Sequence, residues 1–104
     1  MESRDIFNRS RKSIEWEANW IHIGTGKEIN KALLEKTIAN QFSEKEYIML
    51  KRGRTDSKTI QTNSAVNSIM ELIGFENFEL WDKEFINAIK FDKIGVMNKS
   101  KYAI

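Results

Sequence analysis

The chain contains no cysteine, no proline and only one histidine, His22, among 104 residues. Without cysteine there is no disulfide framework and no thiolate zinc site, and one histidine is far short of the three or four ligands that zinc takes. Average usage would supply roughly five prolines, so a rigid proline-rich linker between units is excluded. No apolar run approaches the roughly 18–20 residues of a membrane span. Charges occupy the amino-terminal stretch MESRDIFNRSRK, where a signal peptide would carry its apolar core. The expectation is therefore a soluble, cytoplasmic chain. Internal repeats and low-complexity segments are also lacking.

A strong charge of either sign is missing as well. Net charge is +2, which does not resemble the strongly basic face of a dedicated nucleic-acid binder. The split along the chain is mild, with twelve Lys/Arg against nine Asp/Glu in residues 1–60 and five against six in residues 61–104. Within Glu71–Glu84 five acids face one lysine. Hydrophobic residues make up 40% and aromatics 11%, enough for a packed core and too much for disorder. At this length a second core would not fit, so residues 1–104 read as a single domain.

Periodicity places the elements. Residues 3–18 can form a helix with Ile6, Phe7, Ile14 and Trp16 as apolar points, and Trp20–Ile23 reads as a short strand closed by Gly24. Thr25-Gly26-Lys27-Glu28 fits a capping box that opens a helix running to about Phe42. Tyr47–Leu50 is a second strand, apolar on both faces, and a polar loop follows through Asn63. Val66, Ile69, Met70 and Ile73 mark a helix over 64–73, with Gly74 at its left-handed C-terminal position. Phe78–Trp81, Phe85–Phe91 and Ile94–Met97 are close enough together to pair antiparallel. These elements predict an α/β two-layer sandwich, in which about three helices pack a mixed sheet of about five short strands ending in an antiparallel meander.

The motifs carrying chemistry are sparse. Gly24-Thr25-Gly26-Lys27 lies between a strand and a helix, as a phosphate loop would. The G-x-x-x-x-G-K-[ST] template fails, because Ile21 replaces the first glycine and Glu28 the hydroxyl residue. A plain strand-to-helix turn is the default there. His22 reads as a structural or surface side chain. Trp16 and Trp20, four residues apart, read as core anchors. Lys51, Arg52, Arg54 and Lys58 form the densest basic cluster and are candidate contacts for an anion or nucleic acid. No aromatic interleaves them, so base stacking is unsupported.

The richest stretch is Phe75–Phe91, FENFELWDKEFINAIKF, which holds five of the eleven aromatics. With Phe78 and Leu80 facing inward, period two puts Glu79 and Trp81 together on the other face. An outward Trp beside acids is an interface hot-spot candidate; under a covering helix it would be core. The partner-contact candidates are Glu76, Glu79, Trp81, Asp82 and Glu84. No catalytic set, metal or cofactor is indicated.

A glycine after a helix, then F-E-L-W-D, a short turn, A-I-K-F and I-G-V-M, over residues 74–97, resembles small bacterial α/β immunity proteins of contact-dependent-inhibition and other polymorphic toxin systems. The resemblance implies a non-enzymatic inhibitor that binds the C-terminal domain of a cognate toxin, and an acidic aromatic surface would complement a nuclease cleft. At +2 the chain departs from globally acidic nuclease plugs, so binding beside an active site stays open. The alternative is a small nucleic-acid-binding or regulatory module using residues 51–58, although direct nucleic-acid binding is not favoured by the charge balance.

Overall fold

Alternating apolar residues along short strands, and two stretches of helical spacing between them, give one sheet with helices laid on it. A computed structural model describes residues 2–11, 14–53 and 55–101. In chain order the elements are α1 (Ser3–Arg9), β1 (Ile21–His22), a 3₁₀ turn at Gly26–Glu28, α2 (Lys31–Gln41), β2 (Tyr47–Lys51) and β3 (Lys58–Gln61). A second 3₁₀ turn at Thr62–Ser64 then leads into α3 (Ala65–Ile69), followed by β4 (Phe78–Trp81), β5 (Ala88–Asp92) and β6 (Val96–Lys99). The strands lie in the order β1-β6-β5-β4-β2-β3.

The fold is α/β, as expected, with two differences in the sheet. It has six strands rather than about five, and every pairing is antiparallel rather than mixed. The extra strand is β3, which the sequence presents as a polar loop. It pairs with β2 by placing Ile60 opposite Ile48, and Ile60 is its one buried residue. A lysine-bearing edge strand with a single buried position carries little hydrophobic signal.

The main core lies between the sheet and the pair α2–α3. Ile48, Leu50, Phe78, Leu80, Ile89, Phe91 and Met97 from the strands meet Leu34, Ile38, Phe42 and Ile69 from the helical side. Phe78 and Phe91, register partners on β4 and β5, stack with centroids 4.5 Å apart. On the opposite face the amino-terminal segment adds a partial third layer, in which Ile6 of α1 packs with Met49, Trp81, Phe85 and Ala88. Residues 15–17 run beside the end of β6, where Glu17 N–H donates to Lys99 O and Lys101 N–H to Glu15 O.

The capping box at Thr25 does not form. Gly26–Glu28 is only a 3₁₀ turn, with the Glu28 amide on the Thr25 backbone carbonyl instead of the side chain. Ile29 is extended and breaks the run, so α2 starts at Lys31, where Asn30 Oδ1 accepts the Leu33 amide at 3.1 Å. Thr25 has another use: its methyl fills the space that a side chain at Gly74 or Gly95 would need. Gly74 has φ +92°, the left-handed conformation expected of it, although α3 proper ends at Ile69 and hydrogen-bonded turns carry the chain onward.

Candidate functional site

Antiparallel register builds a row of polar side chains across the sheet face that points away from α2 and α3. Lys51 of β2 is opposite Glu79 of β4, Glu79 is opposite Lys90 of β5, and Lys90 is opposite Asn98 of β6. Each lies one residue out of phase with the core-facing Leu50, Leu80, Ile89 and Met97, so strand alternation alone puts them on this face. Glu79 Oε1 accepts from Trp81 Nε1 at 2.8 Å and lies 3.5 Å from Lys51 Nζ. The Lys90 ammonium sits over two indoles, 4.3 Å from the Trp16 centroid and 5.2 Å from that of Trp20.

Beside this row the surface sinks into a cavity of about 230 Å³, with walls that include Trp20, Lys90, Glu79, Arg52, Asn77 and Asp92. Its far rim is the β5–β6 turn, where Asp92 Oδ1 accepts the Ile94 amide and Asn77 Oδ1 accepts the Lys93 amide. The same end of the sheet carries the two most exposed large apolar side chains among the described residues, Phe75 at 80% and Ile94 at 71%. The chain neighbours of both, Gly74 and Gly95, close on Thr25. Trp20, at 47% exposed, is not the core anchor its spacing with Trp16 suggests. It falls outside any helix, immediately before β1.

Of the expected acidic contact surface, Trp81 and Asp82 are buried, while Glu76, Glu79 and Glu84 stay partly exposed in ion pairs. Trp81 is 1% exposed, packed edge-on against Trp16 at 6.3 Å and beside Phe85 at 5.8 Å. It does face away from α2 and α3, but Ile6 of α1 and Trp16 pack over it, and it cannot meet a partner. Asp82 is also 1% exposed; its carboxylate accepts the Ile86 amide at 2.7 Å and Asn87 Nδ2 at 3.1 Å, which closes the β4–β5 turn. Glu76 takes Arg52 in a two-point contact, Nε to Oε1 at 2.8 Å and an Nη to Oε2 at 3.2 Å, and Glu84 takes Lys45 at 2.7 Å. The Arg52 and Lys45 hydrogen bonds hold these two carboxyls below the usual glutamate range, the opposite of what a general acid needs.

The basic cluster is dispersed by the same contacts. Lys51 and Arg52 face Glu79 and Glu76, Lys58 lies on the edge strand β3, and Arg54 is outside the described residues. The two surfaces anticipated from the sequence as separate sites thus neutralise one another across β2 and β4. The sequence did not single out Phe75 or Ile94 as candidates: Ile94 reads as a strand residue, and Phe75 precedes the first strand of its aromatic stretch. His22 is exposed. Among the described residues no three His, Asp or Glu side chains group closely enough to hold a metal ion, and no helix is long and apolar enough to cross a membrane.

A larger groove of about 540 Å³ lies between α2 and α3, floored by Ile38 and Phe42 and edged by Lys31, Glu35 and Lys45. Its charges are paired or alternate in sign, and no set of like groups converges there. The smaller cavity, with the half-exposed Trp20 indole beside Lys90, is the better defined chemical environment. No family model matches the chain, and no curated protein or solved structure is significantly similar to it.

Proposed function

We propose that this chain is a non-enzymatic binding protein, an immunity-type inhibitor that docks a cognate bacterial toxin domain through the end of the sheet bearing Phe75 and Ile94. The observation carrying this reading is the exposure of Phe75 and Ile94 on two adjoining turns. Their burial would contribute to association, and nothing in the fold uses it. Large apolar and aromatic side chains gathered at one place are what protein interfaces bury at their centres. The resemblance over residues 74–97 supplies the class of partner.

An acidic plug inserted in a basic cleft would lack Asp82 and Trp81, which are buried, and would have to draw Glu76 and Glu84 out of their surface ion pairs. Docking beside the toxin's active site is the mode that the apolar turns support. The nucleic-acid alternative is disfavoured by the pairing of Lys51 and Arg52 with acids.

The test is co-expression with the toxin domain encoded beside this gene, together with calorimetric titration of the two purified proteins. Phe75→Ser with Ile94→Ser should leave the fold intact and weaken binding by about 2 kcal/mol or more, with loss of protection in the cell. Full affinity in the folded double variant would sink the assignment of the surface, and a neighbouring gene encoding no toxin would sink the class of partner.

A further inference from the structure

The cavity lined by Asn77 and Asp92, each two residues from Phe75 or Ile94 along the chain, contains a lysine with no ion-pair partner among the described residues. Of the three cationic walls, Arg52 is held by Glu76 and Lys51 lies against Glu79. Of the two carboxylates of the cavity, Glu79 binds Trp81 and Lys51, and Asp92 accepts the Ile94 amide of its own turn and keeps its charge at the far rim. Lys90 is half-buried, and among the described residues it forms no ion pair. Its ammonium rests over Trp16 and Trp20. Ring faces give an ammonium only part of what a carboxylate gives it.

We infer that this cavity is an acidic-side-chain receptor, in which Lys90 pairs with one glutamate or aspartate of the docking partner while the Trp20 indole packs against that residue's methylenes. Size sets the limit on the ligand. About 230 Å³ is below the roughly 300–1,000 Å³ of sites that enclose whole small molecules, and fits a single side chain. Position supplies the rest, because its lining residues Asn77 and Asp92 are each two residues from Phe75 or Ile94 along the chain, and Asn77 Oδ1 accepts the Lys93 amide of the same turn. An apolar contact with one acid at its edge is thereby specified on the partner. This assignment rests on the docking surface proposed above, but the cavity can be tested on the free protein.

The probe is N-acetyl-glutamate amide, titrated into ¹⁵N-labelled protein at constant ionic strength, with N-acetyl-glutamine amide and inorganic phosphate as parallel arms. The Trp20 indole N–H, identified by its loss in Trp20→Phe, and the Lys90 amide should shift saturably with the glutamate probe. A midpoint on the order of 1 mM is what so small a ligand can reach. The glutamine probe should produce no saturable shift. Lys90→Gln should weaken the response about tenfold or more, with Lys90→Met as a second variant that keeps the aliphatic stem over the indoles. Three results overturn the inference: no saturable shift, equal shifts with the glutamine probe, or an unchanged response in both folded Lys90 variants. Saturation by phosphate but not by the glutamate probe overturns the acidic-side-chain assignment. The probe reports on the cavity alone, so its failure leaves the docking of Phe75 and Ile94 to its own experiment.

Discussion

The indole N–H of Trp81 donates to Glu79 Oε1 at 2.8 Å, from two residues further along the same face of β4. Both residues point away from the main core, as alternation requires, yet one is buried and the other stays at the rim beside Lys51. Covering by Ile6, Phe85 and Trp16 turns an apparent interface tryptophan into the centre of a second small core. Trp81→Ala should therefore cost about 3–5 kcal/mol in urea unfolding, the range for a fully buried large aromatic. Trp81→Phe keeps much of the packing and removes one donor from Glu79, so about 1 kcal/mol is expected from the hydrogen bond. A cost well under 1 kcal/mol for the alanine variant would mean that α1 does not cover this face.

Asp82 and Phe85 set the shape of the β4–β5 turn. Phe85 has φ +57°, a conformation unfavourable by about 1–2 kcal/mol for a residue with a side chain. It is held there because its ring is buried against Trp81 with the Arg9 guanidinium 4.7 Å from its centroid. Burial of a phenylalanine outweighs that strain, so Phe85→Gly should destabilise by about 2–3 kcal/mol despite relieving the backbone. Asp82→Asn places an amide group against Asn87 Nδ2, where an acceptor is needed, and should cost about 1–3 kcal/mol. Thermal unfolding of the two variants checks both values, and a Phe85→Gly variant more stable than wild type would refute the balance drawn here.

The strand pattern was readable because β2, β4 and β5 are central and alternate or run apolar. Phe78, Leu80, Phe85, Ile89 and Phe91 are core residues in the fold as in the sequence. The candidate site was less readable, for a physical reason. Which face a side chain occupies follows from period two, but whether that face is covered depends on a segment far away in the chain, around Ile6 and Trp16. The pairing of Arg52 with Glu76 likewise depends on β2 lying next to β4, a neighbour relation that no local pattern encodes. Ile94 reads as a strand residue by its type, yet the turn closed by Asp92 turns it to solvent.

Acid should act on the Arg52–Glu76 and Lys45–Glu84 pairs in a defined direction. Each glutamate's folded-state pKa is lowered, first by its hydrogen bond to the cation. The stabilisation is therefore complete above the ordinary glutamate value of about 4.3 and is lost as pH falls through the lower folded-state value. Lys45 is raised by the same contact, so its side of the pair persists up through the ordinary lysine range and is lost only above it. Both pairs are at the surface, where screening leaves little: Glu76→Gln should cost under about 1 kcal/mol at pH 7. Urea unfolding of wild type and variant should show a gap at pH 7 that closes by pH 2 and narrows in high salt. A gap that widens on acidification would reverse the sign argued here.

Gln41 joins the end of α2 to the sheet. Its side chain is buried, and Nε2 lies 3.2 Å from Ala88 O, 3.0 Å from Ser100 O and 2.9 Å from Ser100 Oγ. Ser100 Oγ in turn accepts the Ala88 amide at 2.8 Å. Against this, Gln41 Oε1 is buried with no partner among the described residues, an unfavourable group that an apolar substitution would remove. Gln41→Met fills the same space and loses the donor but also the orphaned oxygen, so a net cost of only about 1 kcal/mol is expected. Gln41→Ala adds a cavity to the lost donor and should cost about 2–3 kcal/mol. The ordering of the two variants in chemical unfolding decides between packing and hydrogen bonding: equal large losses would mean that the bonds to Ala88 and Ser100 dominate, and a methionine variant as stable as wild type would mean that the unpartnered oxygen cancels them.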